Sequence, residues 1–409
     1  MVIRKKAKKM SEWTIKRLEE IIDVNPKVKL TKGVVYPFID IDKVSPTLRS
    51  VTNEECKNYD GQSCSKFCNG DTVFSRITPC LENRKIANVN IEDEAAFGST
   101  EFYIFRAKQD LSNEDFVYYL TSSDAVVLPA INSMTGASGR QRADKRFIER
   151  TKLNIPDLST QKRIANILST YDDLIENNNR RIALLEKAAQ ELYKEWFVRF
   201  RFPGYENAKF ENGLPKGWVR KKISTYYNTC SGGTPSRTNE EYFESGIYPW
   251  VKTGEIKDCI VIDAEEYITE QAIKKSSAKL LPAKSVVMAM YGVNIGQLAY
   301  FDGQMTCNQA CCVFADKRDF SSNHYLFHYL KSIREYLLLI SFGAAQQNLS
   351  QDLIKKIKIV MPSDDVVCAF EEKLDVIYDS IKALMLKNKN LAKQRDLLLP
   401  RLMSGKLEV

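Results

Sequence analysis

The polar side chains of several loops are of the types that form hydrogen bonds with nucleic acids. Arg, Lys, Asn and Gln can contact base edges, and glycine lets the backbone approach a phosphate. In the second half of the chain the candidates are Thr234, Ser236, Arg237, Lys252, Thr253, Tyr291, Asn294, Gln346 and Gln347. In the first half they are Ser75, Arg76, Arg84, Lys85, Arg140, Gln141 and Arg142. Any one such loop, taken alone, is better interpreted as an ordinary polar turn.

Three other groups of residues could support catalysis or bind a metal, but simpler interpretations are favoured. Glu371-Glu372-Lys373 resembles the acidic end of some nuclease sites, yet it falls where charges should cover the solvent face of a helix. His324 and His328 are four residues apart, with no Glu between them and no evident third ligand, so structural roles are favoured. Four cysteines could bind zinc, but they do not form paired C-x₂-C knuckles: Cys56, Cys64, Cys68 and Cys80.

Motifs for independent catalysis are missing from the sequence. It contains no G-x-x-x-x-G-K-[ST] phosphate loop, no G-x-G-x-x-G, and no Asn-Pro-Pro-Tyr-like run of the kind adenine methyltransferases use. We therefore expect no catalytic residue, no metal site and no cofactor bound by this chain. A net charge of +8 over 409 residues permits a nucleic-acid partner without requiring one.

Composition predicts a cytoplasmic protein with more than one domain. The chain is 44% hydrophobic and 27% charged, as globular proteins are, and it is longer than one core usually carries. No apolar run is long enough to span a membrane, and the basic N-terminus lacks the apolar region of a signal peptide. In the cytoplasm the ten cysteines would be reduced.

Two heptad-patterned segments must position the loops. Apolar residues recur at alternating steps of three and four, the pattern that buries one helix face against a partner helix. The main seam positions of the first segment are Leu168, Ile175, Asn178, Ile182, Leu185 and Leu192, and those of the second are Leu374, Ile381, Asn388, Leu391 and Leu398. The aromatic end of the first segment, from Tyr193 to Phe202, is interpreted as a packing surface rather than a base-stacking platform.

The second seam repeats the first after 206 residues, and the strand Lys152–Pro156 repeats at the same distance as Lys358–Pro362. Towards the N-terminus the repeat continues with small insertions, so that Tyr36-Pro37-Phe38-Ile39 corresponds to Tyr248–Val251. A period of this length indicates a duplicated domain. Equivalent loops that carry different polar residues suit the reading of two different DNA sequences.

The two helices most plausibly pair within the chain. An antiparallel pair would bring Asn178 and Asn388 close enough for their amides to hydrogen-bond and fix the register. Pairing between chains, which would give a homodimer, stays open. Ser159 and Ser363 are candidate N-caps. We expect the second helix to be interrupted at Pro400, because proline removes a helix hydrogen bond.

The expected fold class is α+β. It comprises two tandem α/β target-recognition domains, each followed by a long helix, with the two helices forming an antiparallel coiled coil. Short β-rich runs bounded by Gly, Pro, Asn and Asp predict the strands of each domain. The predicted boundaries are 11–157 for the first domain, 158–202 for the first helix, 203–362 for the second domain and 363–409 for the second helix.

The chain resembles the specificity subunits of Type I restriction-modification systems from about residue 11 to its end. The resemblance is carried by SGGTPSR (231–237), YPWVKTGEI (248–256), CNQACCVF (307–314), the helix entry NIPDLSTQKRIANILSTYDDL and the C-terminal LLLPRLMSGKLEV. The first domain departs from the family pattern because it lacks a GGTPSR-like run. The second repeat has VVCAF where the family usually has a Glu-Gln pair.

The resemblance implies a non-catalytic subunit that reads a split, asymmetric sequence in double-stranded DNA. It also implies that the helices separate the two readers and dock two adenine methyltransferase (modification) subunits, with restriction/translocase subunits joining the complex. S-adenosylmethionine, ATP and Mg would then belong to the partner subunits, and no membrane is involved. The competing hypotheses are a coiled-coil scaffold without DNA recognition and a self-sufficient nuclease, which the missing motifs oppose.

Overall fold

The computed structural model describes residues 13–52, 55–318, 320–341 and 348–409. The chain divides into two compact units. The first unit comprises Met1–Asn179 and Lys387–Val409, and the second comprises Arg180–Leu386. Each of the two long helices therefore contributes residues to both units.

The described parts of both units are mixed α/β structures. The strands of the first unit are β1 Trp13–Arg17, β2 Ile22–Val24, β3 Val34–Ile39, β4 Ser50–Val51, β5 Glu55–Tyr59, β6 Ser65–Cys68, β7 Thr72–Ser75, β8 Ile86–Val89, β9 Ala95–Gly98, β10 Phe102–Ala107 and β11 Lys152–Pro156. Its helices are α1 Leu18–Ile21, α2 Glu114–Ser122, α3 Asp124–Asn132, α4 Lys145–Glu149 and the first part of α5 Leu158–Tyr193. A π-helical turn, Lys194–Val198, continues α5.

The second unit repeats this order of elements, except that it has an additional short hairpin at its start and a helix in place of β6. Its strands are β12 Phe210–Glu211, β13 Leu214–Pro215, β14 Val219–Lys222, β15 Tyr227–Ser231, β16 Tyr248–Val251, β17 Cys259–Val261, β18 Tyr267–Ile268, β19 Val286–Ala289, β20 Leu298–Phe301, β21 Thr306–Cys307, β22 Cys311–Asp316 and β23 Lys358–Met361. Its helices are α6 Ile223–Tyr226, α7 Glu270–Lys275, α8 Asn323–Ser332, α9 Arg334–Ser341, α10 Gln351–Lys356 and the first part of α11 Asp364–Met403.

Sheet topology confirms the duplication. The main sheet has the order β2-β10-β7-β8-β4 in the first unit and β15-β22-β19-β20-β17 in the second. In both, the last two strands are parallel and the other neighbours antiparallel. A smaller sheet has a parallel pair, β3 with β9 or β16 with β21, and an antiparallel neighbour, β5 or β18. Equivalent strands can therefore be compared position by position.

Each main sheet is covered on both faces, so its central strands carry runs of buried residues. Successive side chains of a strand point to opposite faces. Phe74 accordingly joins a core formed with the helices, whereas its neighbour Val73 joins a core formed with the smaller sheet. Met288 and Val287 divide in the same way in the second unit. The loops at the strand ends are thus fixed by two cores.

Within the first unit, α5 and α11 contact each other in an antiparallel sense. Asn178 Nδ2 donates to Asn388 Oδ1 at 2.8 Å, and Asn388 Nδ2 donates to Asn179 Oδ1 at 2.8 Å. Further from this pair, Asp172 forms an ion pair with Arg395. As the residue number falls along α5 it rises along α11, which is the antiparallel order.

The second unit holds the other halves of the same helices. Trp196 and Phe197, in the π-helical turn, pack against Phe370 of α11, with ring centroids 5.7 and 4.8 Å apart. Tyr193 stacks on His328 of α8. The aromatic end of the first helix is therefore part of the hydrophobic core of this unit.

Two expectations about the helix ends are wrong. The second helix is not interrupted at Pro400, since α11 runs on to Met403. Proline here disturbs only the last turn, and Leu402 beyond it is fully buried in the core of the first unit, which offsets the loss. Ser159 is not an N-cap, because α5 begins at Leu158 and the Asp157 carboxylate accepts from the backbone N–H of Thr160 at 3.0 Å.

Candidate nucleic-acid interface

In the first unit two of the candidate cations meet at one carboxylate. Ser75 of β7 lies opposite Phe102 of β10, so Arg76 and Glu101, the next residues of the two strands, also face each other. Arg76 Nε donates to Glu101 Oε2 at 3.2 Å. Arg142 forms a fork on the same carboxylate, at 2.6 Å to Oε1 and 2.9 Å to Oε2. We call Arg76, Arg142 and Glu101 the first-unit charge cluster.

The loop that carries Arg142 is tied to the end of β7 by its backbone. The backbone N–H groups of Thr78 and Gln141 donate to Gln141 O and Thr78 Oγ1, at 3.0 and 3.1 Å. Gln141 is half-buried and Arg140 is exposed. Hydrogen bonds from Arg142, followed by the charge of Arg76, lower the pKa of Glu101, so this carboxylate is ionised at neutral pH.

The remaining first-unit candidates are not part of this cluster. Ser75 is fully buried in β7, so its hydroxyl is not offered to solvent. Arg84 forms an ion pair with Asp124 and donates to the carbonyl of Ser122 at 3.0 Å. Lys85 donates to the carbonyl of Ile41 at 2.8 Å. Both cations are thus held by contacts within the unit.

The SGGTPSR run of the second unit is pressed against its neighbours. A Cβ at Gly232 would lie 2.3 Å from the Cys307 carbonyl oxygen, and one at Gly233 would lie 2.2 Å from Ser277 backbone atoms. Trp250 Nε1 donates to the carbonyl of Gly233 at 3.0 Å. The two glycines therefore permit a close approach that any side chain would prevent.

Arg237, at the end of this run, meets Lys252 at a second shared carboxylate. Arg237 Nη1 lies 2.6 Å from Glu266 Oε2, and Lys252 Nζ lies 3.0 Å from Glu266 Oε1. The Arg237 guanidinium also lies over the rings of Phe243 and Trp250, 4.5 and 4.8 Å from their centroids. A hydrogen bond from Arg237 is the main cause that lowers the pKa of Glu266. Arg237, Lys252 and Glu266 form the second-unit charge cluster.

Other candidates of the second unit lie in nearby loops. Asn294 Nδ2 donates to the carbonyl of Thr253 at 2.8 Å, which links the turn after β19 to the turn after β16. Tyr291 is exposed, and Val293 is 99% exposed at the tip of the same turn. Thr234 hydrogen-bonds to Gln309, and exposed Ser236 pairs with the hydroxyl of Thr238. Gln346 and Gln347 lie outside the described residues.

Sequence reasoning identified these cations and the polar loop Ser99-Thr100-Glu101, but it did not pair the cations with the acids that hold them. Glu101 and Glu266 each sit beside an antiparallel neighbour strand, a relation that depends on register between distant segments. Local sequence pattern offered no signal for these contacts, because it does not show which distant strands pair.

The groups considered for catalysis have structural contacts instead. His328 is buried, and burial lowers its pKa to about 3. Glu371 is buried beside the N-terminus of α8, and desolvation raises its pKa to about 8. Cys56 and Cys68 lie on strands β5 and β6. Over the described parts of the chain, no three His, Cys, Asp or Glu residues are grouped so that they could hold a metal ion.

The seam residues are each buried or half-buried. Those within the first unit are Leu168, Ile175, Asn178, Asn388, Leu391 and Leu398. Those within the second unit are Ile182, Leu185, Leu192, Leu374 and Ile381. No helix of the described residues is long and apolar enough to cross a bilayer.

Comparison with known proteins gives one consistent result. The family described as "Type I restriction modification DNA specificity domain" matches twice, over residues 10–187 and 215–393. The chain is 24% identical to the Type I restriction enzyme HindI specificity subunit of Haemophilus influenzae, over 86% of this chain and 89% of the relative. It is 25% identical to the MjaIX specificity subunit of Methanocaldococcus jannaschii, over 97% and 94%.

A solved structure shows a similar fold. The crystal structure of a Type I restriction-modification S subunit from M. genitalium matches with a TM-score of 0.51 and 14% sequence identity. The match covers 96% of this chain and 97% of that one.

Proposed function

We propose that this chain, which belongs to the Type I restriction-modification DNA specificity family, reads a split and asymmetric DNA sequence with one half-site per unit. One observation carries the proposal. The two units have the same strand order in their main sheets, and each carries a cluster of cations in its loops. The two clusters differ in the types of their residues and in the strands that these residues follow. A duplicated scaffold with divergent polar ends suits two different half-sites.

The proposed mechanism separates positioning from reading. Contacts from Lys and Arg side chains to phosphates place each unit on the duplex without conveying sequence. Arg, Asn and Gln read base edges, since a planar guanidinium can bond two acceptors of a guanine at once. The proposed readers are Arg76, Arg140, Gln141, Arg142, Arg237, Lys252, Asn294, Gln346 and Gln347. Ser75, Arg84 and Lys85 support the reading surface from within the unit.

We further propose that this chain contributes recognition and leaves catalysis to its partners. Its helices, with boundaries near 158–202 and 363–409, dock two adenine methyltransferase subunits and allow restriction subunits to join. S-adenosylmethionine, ATP and Mg would be bound by those subunits. Support for a non-catalytic role comes from the absence of nucleotide-binding and methyltransferase motifs in the sequence.

The test is co-expression with the adenine methyltransferase subunit encoded beside this chain, followed by methylation-sensitive sequencing of the host DNA. The expected result is one split motif with N6-methyladenine in both halves. If the complex forms with cofactor present and no motif is methylated, the reading function is wrong. A scaffold would additionally show no salt-dependent affinity for DNA.

A further inference from the structure

The second-unit charge cluster lies on an aromatic ring at a defined register position. Strand β16 pairs with β18 so that Tyr248 faces Ile268 and Pro249 faces Tyr267. The next residues, Trp250 and Glu266, continue this register, and Trp250 N donates to Glu266 O at 2.8 Å. The cation on the Trp250 ring, Arg237, is the one that pairs with the Glu266 carboxylate.

The first unit has the same arrangement, built from other residues. Strand β3 pairs with β5 so that Phe38 faces Glu55. The Lys57 ammonium lies 3.6 Å from the centroid of the Phe38 ring and 3.3 Å from Glu55 Oε1. Both side chains of this ion pair are exposed. An aromatic ring, a cation and a glutamate are thus assembled here as well.

These two groups occupy equivalent positions in the duplicated fold. Strands β3 and β16 each have a parallel neighbour on one side and an antiparallel neighbour on the other. Phe38 and Trp250 are the third residues of matching Tyr-Pro-aromatic runs. The glutamate faces the aromatic residue in both units, but the cation comes from strand β5 in one and from the SGGTPSR loop in the other. The chemistry recurs although its source differs.

We propose that Lys57 is a DNA-contact residue of the first unit, equivalent in position to Arg237, and that Glu55 and Glu266 are internal counter-ions that DNA must displace. The inference rests on the proposed function. Lys57, a compact point charge, contacts a phosphate, whereas Arg237, a planar fork held on two rings, reads a base edge. Each glutamate restrains its cation in the free protein.

The counter-ions oppose binding to DNA of the wrong sequence. On such DNA a phosphate only replaces the glutamate carboxylate as the partner of the cation. The binding free energy gained is then little more than that of releasing salt ions from the DNA. At the correct half-site the base-edge contacts add to this exchange. Because the carboxylate must be displaced on any DNA, removing a glutamate strengthens specific and non-specific binding by a similar factor, and the variant then binds DNA of the wrong sequence more tightly than the wild type does.

The test uses the complex of this chain with its modification subunits. Affinity is measured against salt concentration for a duplex of alternating dA and dT, and for the duplex carrying the methylated motif. In Glu55→Gln the salt slope for the dA/dT duplex should steepen by about 0.9, since Lys57 becomes available to a phosphate. Glu266→Gln should steepen it by a similar amount, since Arg237 is released while Lys252 keeps a second partner, Glu265, at 3.2 Å. The affinity for both duplexes should rise by a similar factor.

Control variants remove the acid of an ion pair elsewhere in the same unit. Glu149 pairs with Lys145 in α4, and Glu270 pairs with Lys274 in α7. Glu149→Gln and Glu270→Gln lose the same charge, so they measure the general effect of net charge. Slopes in Glu55→Gln and Glu266→Gln that equal those of the controls would overturn the counter-ion role.

The cation is tested separately. Lys57→Ala should weaken binding to both duplexes by a similar factor, about tenfold at low salt, while Lys57→Arg restores it and Lys145→Ala has little effect. Binding that is unchanged in Lys57→Ala would overturn its assignment. If the wild-type complex methylates no split motif, the proposed function fails. If it does and the variants match their controls, only this inference fails.

Discussion

Glu371 shows how the surroundings of a single residue decide its role. Its carboxylate accepts hydrogen bonds from the backbone N–H groups of His324 and Tyr325, at 3.2 and 2.8 Å, in the first turn of α8. It thereby satisfies donors that a helix start leaves unpaired. The side chain is nevertheless buried, and desolvation raises its pKa to about 8. A residue that the sequence grouped with nuclease-like acids is a helix cap.

This shift predicts a pH dependence of stability. The native pKa of Glu371, about 8, lies above the usual value of 4.5, so its contribution is present at low pH and is lost as pH rises towards 8. The buried histidines act in the opposite sense, but only below about pH 6.5. Between pH 6.5 and 8 the thermal midpoint should therefore fall with rising pH in the wild type, and less steeply in Glu371→Gln.

Tryptophan fluorescence is a suitable probe, because three of the four tryptophans lie in the second unit. Glu372→Gln is the matched control, since Glu372 is the adjacent and exposed acid. It should melt with the same pH profile as the wild type. A Glu371→Gln profile that coincides with both would show that Glu371 does not titrate in this range.

At the scale of the elements, a few buried contacts hold the long helices α5 and α11 in register and pack the end of α11 into the core. Asn178 and Asn388 form an amide pair inside a mainly apolar seam, which can fix the register of two helices at some loss of stability. The tail of α11 passes Pro400 and inserts Leu402 into the same core as Leu168. Each contact can be removed by one substitution.

Asn178→Leu should destabilise the first unit by about 1–3 kcal/mol, because the Asn388 carbonyl loses its donor while it stays half-buried. Adding Asn388→Leu should recover part of this loss, because it removes the unpaired Asn388 carbonyl, while Asn179 Oδ1 then loses the donor that Asn388 supplied. Chemical denaturation measures both. Exposed Asn177→Leu is the control, and an equal cost there would rule out a role for the amide pair.

Leu402→Ala should cost about 2–5 kcal/mol, since the side chain is fully buried and its loss leaves a cavity. Leu407→Ala, at an exposed position of the same tail, should be nearly neutral. Thermal unfolding of both variants decides whether the residues after Pro400 belong to the core. Equal thermal midpoints for the two variants would mean that the residues after Pro400 do not belong to the core.

At the scale of the whole molecule, duplication should make the two reading surfaces independent. Arg142 and Arg237 belong to different units and share no partner within the part of the chain that the structure describes. Changes at sites without shared partners usually add. One substitution should therefore affect only one half-site.

Arg142→Ala should relax one position in the first half-site, and Arg237→Ala one position in the second, each by about 1–3 kcal/mol of base discrimination. The double variant should relax both positions additively. Methylation-sensitive sequencing of each complex gives the result directly. A single substitution that altered both half-sites would contradict independent reading by the two units.

The sequence by itself determined the repeat, the two heptad segments and several strands, among them the central strands β7, β10, β19 and β22 of the two main sheets. These features are periodic and local, because a helix shows its buried face every three to four residues and a strand every second residue. The match between Tyr36–Ile39 and Tyr248–Val251 then aligned Phe38 with Trp250, and the strand register of the structure agrees with that alignment.

Only the tertiary structure decided which polar residues meet. Ser75 lies in a strand that is covered on both faces, so its hydroxyl is buried. A run of four residues is too short to show from sequence that both faces are covered. The cations Arg76 and Arg142 reach Glu101, and Arg237 and Lys252 reach Glu266, through pairings of segments distant in sequence. Local pattern fixes which face of an element is buried. Register between elements, set by the packing of two cores, fixes which charges become neighbours.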